Sequence, residues 1–160
     1  MWIGVLGPLE VHRDGNDVPL ETAKERALLS ALAVRATGVA SKEWLIDFLW
    51  GARPPATAER TLASHISRLR HSIGTSTVLT EPGGYRLDDD VAHVDAIDLA
   101  DLTESAENEL SAGRPTTARS RAADALALWR SDPLADLTNE EIRTGETVRL
   151  DELRRRATHA

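Results

Sequence analysis

The sequence predicts an α+β chain in two parts: a short antiparallel sheet, three helices and a closing hairpin, then helices alone. Three observations carry that expectation. Short apolar runs interrupted by Gly and Pro fill residues 1–20. Apolar stretches at helical spacing, each with a capping residue or a glycine or proline stop, occupy residues 22–74. A Pro82-Gly83-Gly84 tip then joins two β-rich runs, and no strand signal recurs from about Asp95 onward.

In order along the chain, Trp2-Ile3-Gly4-Val5-Leu6-Gly7-Pro8-Leu9-Glu10-Val11 alternates loosely. Asp14-Gly15-Asn16-Asp17 is a turn signal, and Val18-Pro19-Leu20 resumes, which together read as short antiparallel strands. Thr22 caps a helix whose apolar positions Ala27, Leu28, Ala31, Leu32 and Val34 recur at helical spacing, with Gly38 as its stop. Ser41 caps a second, with Glu43 and Trp44 in its first turn and Leu45, Ile46, Leu49 and Trp50 as its apolar side. Gly51-Ala52-Arg53-Pro54-Pro55 breaks it, because proline does not fit a helix interior and pushes the residue before it toward extended backbone. Thr57 caps a third helix that runs to about Ile73 and ends at Gly74. Val78–Glu81 and Tyr85–Leu87 flank the glycine tip as a hairpin.

Helices follow near 95–112, 115–130 and 140–158, separated by Gly113-Arg114-Pro115 and Ser131-Asp132-Pro133. Such regular spacing resembles the start of a TPR-like helical repeat array. The last helix reaches His159-Ala160 without a stop signal, so the chain is expected to be the N-terminal part of a longer protein. The division falls at 1–90 and 91–160.

Composition excludes several function classes. The absence of cysteine removes disulfides, thiolate metal sites and cysteine nucleophiles. No run approaches the roughly 18 apolar residues of a membrane span, and the N-terminus lacks a secretory pattern, so a cytoplasmic location is expected and no membrane partner. Gly4 and Gly7 do not continue into a dinucleotide fingerprint, and Gly83-Gly84 lacks the lysine and serine of a phosphate loop. The histidines have no carboxylate or cysteine company at ligand spacing, so neither metal nor cofactor is expected, and no catalytic set emerges. The net charge of −7 lies wholly in the second half: Met1–Asp88 has ten Lys/Arg and ten Asp/Glu, Asp89–Ala160 nine and sixteen. An acidic protein argues against nonspecific nucleic-acid binding, whereas a neutral first half leaves room for a local basic face.

The third helix supplies such a face. Ala58, Leu62, Ile66, Leu69 and Ile73 form one apolar stripe, and Arg60, Ser64, Ser67 and His71 form the opposite one. Arg68 and Arg70 flank the polar stripe, and Thr61 and His65 lie toward one edge. A polar, arginine-bearing helix face is most often simply solvated. Here two preceding helices and a following glycine-tipped hairpin complete the winged-helix order, in which such a helix enters the DNA major groove. Arginine suits guanine edges or phosphates, and Ser, Thr and His add hydrogen bonds without bulk.

Several motifs together resemble one family. Val5-Leu6-Gly7-Pro8-Leu9-Glu10-Val11, Lys24-Glu25-Arg26-Ala27-Leu28-Leu29 and Leu49-Trp50-Gly51 are similar to the SARP-type antibiotic-regulatory activators and their AfsR-like relatives. Pro54-Pro55-Ala56-Thr57-Ala58, Thr61-Leu62, Ile66-Ser67-Arg68-Leu69-Arg70 and Pro82-Gly83-Gly84-Tyr85 continue the likeness. Ala125-Leu126-Ala127-Leu128-Trp129-Arg130 and Arg149-Leu150-Asp151-Glu152-Leu153-Arg154 resemble that family's bacterial transcriptional activation domain. The resemblance covers nearly the whole chain in order and spacing.

It implies an OmpR-type winged helix over 1–90 with helix 57–73 as recognition helix and hairpin 78–87 as wing. It also implies binding to promoter direct repeats as tandem subunits that self-associate on duplex DNA, and recruitment of RNA polymerase, with Gly51–Ala56 as a polymerase-facing loop. The DNA-binding residues expected are Arg60, Thr61, Ser64, His65, Ser67, Arg68, Arg70, His71, Lys24 and Arg86, with Arg68, Arg70 and Lys24 on phosphates. Glu25, Arg60, His65 and Glu81 depart from the family's common residues; an acid at Glu81 repels phosphate, and His65 could titrate near neutrality. Trp2, Trp44, Trp50 and Trp129 read as packing residues, and Tyr85 as packing the wing on helix 57–73. Glu81 and the acidic second half also motivate another reading, a protein-interaction module of a larger signalling protein whose winged helix has lost DNA binding.

Overall fold

The computed structural model describes residues 1–137 and 140–160. It is α+β, with β1 (Trp2–Gly4), β2 (Glu10–Arg13) and β3 (Asn16–Asp17) leading into α1 (Ala23–Val34). Then come β4 (Ala40–Ser41), α2 (Lys42–Trp50), α3 (Ala58–Ile73), β5 (Val78–Glu81) and β6 (Gly84–Leu87). After β7 (His93–Val94), the chain continues as α4 (Asp95–Ser111), α5 (Pro115–Ala127) and α6 (Glu140–His159).

The caps explain where the helices begin. At α1 the Thr22 hydroxyl accepts from Glu25 N–H, and the Glu25 carboxylate reaches back to Thr22 N–H, a reciprocal capping box. Ser41 caps α2 through Trp44 N–H at 3.1 Å. Thr57 stands at the start of α3 as expected but makes no capping bond. Its backbone (φ −104°, ψ 33°) is not extended, as a capping hydroxyl requires, and its Oγ1 instead lies 3.2 Å from Thr61 Oγ1. α1 ends before Gly38, and α5 ends at Ala127, because the N–H of Arg130 turns away to the Leu6 carbonyl.

One feature of the first sheet differs from expectation. Its order is β3-β2-β1-β7, antiparallel except that β7 lies parallel to β1, with Trp2 opposite His93 and Ile3 opposite Val94. The sheet is therefore mixed. A strand of two residues carries no alternation to read, and its state is set by its partner across the chain. The second sheet, β4-β6-β5, builds the wing, with Ala40 opposite Tyr85 and Val78 opposite Leu87. Gly84 is obligatory there, since a Cβ would sit 2.0 Å from the Ala40 carbonyl oxygen.

Leu28, Leu29, Leu32, Leu45, Leu62, Ile66, Leu69 and Leu87 are fully buried where α1, α2, α3 and the wing meet. The later helices pack through small residues, Ala106, Ala118, Ala122, Ala125 and Ala157, which let α4, α5 and α6 approach closely. The two parts of the chain are joined along Val5–Leu9. Arg130 N–H and Leu134 N–H donate to the Leu6 and Val5 carbonyls, and Leu9 N–H donates to Asp136. Asp136 also pairs with Arg26 of α1, and Arg149 of α6 donates to the Val34 carbonyl at 2.8 Å. Burial pushes the Asp95 carboxyl above the usual carboxylate range, opposed by hydrogen bonds from Val5 and Leu6 N–H and by the Arg130 charge. No helix among the described residues is long and apolar enough to cross a membrane.

Candidate nucleic-acid interface

α3 owes its orientation to its apolar stripe: Leu62, Ile66, Leu69 and Ile73 are at most 1% exposed. Burial of those side chains against α1 and α2 fixes which way the other face points. Arg60, Ser64, Ser67, Arg68 and His71 are exposed on it, and Thr61 and His65 are half-buried at its edge. Among the described residues neither Arg60 nor Arg68 forms an ion pair or side-chain hydrogen bond, so both guanidinium groups present their donors to solvent. The Ser64 hydroxyl donates to the Arg60 carbonyl at 3.2 Å, a bond within the helix that water or a ligand readily replaces.

The remaining expected residues are held differently. Lys24 Nζ donates to the Leu49 carbonyl at 2.6 Å and lies 5.1 Å from the centroid of the Trp50 ring. A cation there matches the negative end of α2, and burial lowers the Lys24 pKa. His65 also packs against Trp50, ring centroids 6.0 Å apart, with Nδ1 buried and unpartnered among the described residues. Burial, then the charges of Arg68 and Lys24, push its pKa below the ordinary histidine value of 6.5. The imidazole is accordingly neutral at physiological pH, in place of the near-neutral titration expected from sequence.

Arg70 turns from the outer face toward the wing. Its Nε and Nη2 donate to the Val78 carbonyl at 2.9 and 2.8 Å, Nη2 donates to Thr80 Oγ1 at 2.8 Å, and the guanidinium lies 5.9 Å from the Tyr85 ring centroid. In the wing, Arg86 Nε donates to Glu81 Oε1 at 2.8 Å, and Nη1 reaches Asp89 at 3.3 Å. The hydrogen bond to Glu81 raises the Arg86 pKa, and the same pairing offsets the Glu81 charge that sequence alone sets against phosphate. Tyr85 is buried, as expected for a residue packing the wing.

Sequence reasoning missed Arg13. Its Nη2 donates to the Ile73 carbonyl, which also accepts from Thr77 Oγ1 at 3.1 Å, so the C-terminus of α3 is capped from β2. A contact sixty positions apart leaves no local pattern to read. Arg53 is a further cation, exposed in the α2–α3 loop.

A sealed helix with an open polar face, backed by two helices and flanked by a β-wing, defines a transcriptional regulator with a winged-helix DNA-binding domain. Residues 15–87 match the family model described as transcriptional regulatory protein, C terminal, and residues 94–160 match the bacterial transcriptional activator domain. Together the two matches take in most of the chain, and this pair of domains is that of the SARP-type, AfsR-like transcriptional regulators that the chain resembles. It is 38% identical over 154 residues to the regulatory protein AfsR of Streptomyces coelicolor, covering 94% of this chain and 15% of that protein. It is 36% identical over 166 residues to the regulatory protein DnrI of Streptomyces peucetius, covering 96% of this chain and 61% of that one. The solved structure of Mycobacterium tuberculosis EmbR in complex with a low-affinity phosphopeptide superposes with a TM-score of 0.85 at 29% identity, over 98% of this chain and 43% of that one. The chain thus spans only part of each of these relatives.

Proposed function

We propose that this chain binds promoter DNA sequence-specifically in the cytoplasm and activates transcription. Residues 1–90 act as the DNA-binding domain, and residues 91–160 as the N-terminal part of the activation domain. α3 enters the major groove, where Arg60, Thr61, Ser64 and Ser67 face base edges and Arg68 and His71 face the flanking backbone. Lys24, His65, Arg70 and Arg86 support that surface from behind and beside it. Tandem copies on direct repeats present the loop at Gly51–Ala56, with exposed Arg53, to RNA polymerase.

The observation that carries this reading is the pair of uncommitted guanidinium groups, Arg60 and Arg68, on the exposed face of a helix whose opposite stripe is sealed. Arg26, Arg35, Arg86, Arg114, Arg130, Arg149, Arg155 and Arg156 are by contrast engaged in ion pairs. Selection of duplexes from a randomised pool tests the proposal. Enrichment of a repeated half-site supports it. Failure of both this chain and a longer form to enrich any sequence favours the other reading, a winged helix serving as a protein-interaction module, which the acidic second half and the internally paired wing charges support.

A further inference from the structure

We infer that Arg70 is a positioning residue: it fixes the angle of the wing against the recognition helix instead of gripping a phosphate. The inference rests on the DNA-binding reading, in which wing and helix contact one duplex together. Arg70 lies in the last turn of α3, where a cation suits the negative helix end. Its planar fork spans the hairpin. Through Val78 and Thr80 it holds β5, an edge strand of its sheet, and through the Tyr85 ring it meets β6.

Three of its five N–H bonds have directions set by those contacts, and a guanidinium satisfies two acceptors at once only in one orientation. Releasing Arg70 to a phosphate would strip the Val78 carbonyl and the Thr80 hydroxyl of their charged donor and free the edge strand. Arg68, two positions earlier, is exposed and uncommitted among the described residues, so a phosphate contact at this end of α3 has a donor without dismantling the wing. The geometry assigns different work to two neighbouring arginines that are equivalent in the sequence pattern.

The test uses Arg70→Lys, Arg70→Gln and Thr80→Val in the whole chain, with the duplex enriched by the wild-type protein as probe. A positioning role predicts that Arg70→Gln weakens binding roughly tenfold, the scale of one charge-assisted hydrogen bond, with an unchanged slope of log affinity against log salt. It also predicts that Arg70→Lys fails to restore affinity and that Thr80→Val adds little once Arg70 is replaced. In the free protein, amide hydrogen exchange across Val78–Leu87 accelerates in Arg70→Lys while the amides of Leu62–Leu69 keep their protection.

A phosphate ligand gives the opposite pattern: Arg70→Gln lowers the salt slope by about 0.9 and Arg70→Lys restores binding. That result, or unchanged hairpin exchange in Arg70→Lys, overturns the inference. If neither the wild-type chain nor a longer form enriches a duplex, the DNA-binding reading falls by itself. The exchange measurement then still decides whether Arg70 fastens the wing.

Discussion

The carboxylate of Asp95, the first residue of α4, accepts a hydrogen bond at 2.8 Å from the backbone N–H of Val5, at the end of the first strand. Its other oxygen takes the N–H of Leu6 at 3.1 Å, and Arg130 approaches at 3.6 Å. The side chain is fully buried. Asp95 thereby satisfies two backbone donors that leave the sheet without a strand partner, and ties the helical part to the DNA-binding part.

Asp95→Ala therefore leaves two buried N–H groups unpaired. At about 1–3 kcal/mol for each unsatisfied buried group, the loss is comparable to much of a small domain's stability. Asp95→Asn keeps an acceptor oxygen for one of the two and is the milder change. Urea unfolding checks this, and an Asp95→Ala variant as stable as wild type would show that the contact does not hold the two parts together.

His65 gives stability a pH dependence. Folding lowers its pKa below 6.5, so the unfolded chain binds a proton that the folded chain refuses. The unfolded state then holds more protons as pH falls through that window, and stability declines on acidification. His65→Phe keeps an aromatic ring against Trp50 and removes the titration, which flattens the dependence between about pH 7 and about pH 5. Melting temperatures of both proteins across that range measure it; identical slopes would contradict the assignment.

Gly84→Ala places a methyl group within 2.0 Å of the Ala40 carbonyl oxygen and 2.8 Å of its carbon, both backbone atoms that cannot swing aside. The pairing of β4 with β6 should open and the wing lose its base. Hydrogen exchange at Tyr85 and Leu87 is expected to rise while the interior of α1 stays protected. Gly83→Ala is the control: its added Cβ meets nothing within 4 Å, but φ of +81° makes the substitution strained for backbone reasons alone.

Much of this architecture was legible in the residues themselves. Thr22, Ser41 and Gly74 mark helix ends by local chemistry, and the stripe from Leu62 to Ile73 announces the sealed face of α3 by spacing alone. What escaped was what depends on distant partners. β7 is strand only because Trp2 and Ile3 lie beside it, and Arg13 caps α3 from the first sheet. Helical spacing set Arg68 and Arg70 on either side of one polar face. Only the wing's position separates them, because Val78 and Thr80 draw Arg70 off that face. Lys24 was expected on phosphate, but its amine serves the C-terminal end of α2, at Leu49.

Arg60 and Arg68, on the outer face of α3, are the residues whose replacement probes DNA recognition by this helix. Equilibrium titrations of wild type, Arg60→Ala and Arg68→Ala are made on the enriched duplex and on a scrambled one across a range of salt. Arg60→Ala is expected to cost about 1–3 kcal/mol on the enriched duplex with little change on the scrambled one, as for a base contact. Arg68→Ala is expected to weaken both duplexes alike and to reduce the salt slope by about 0.9. Affinity that is independent of salt, or unaffected by either substitution, would contradict insertion of α3 in the major groove.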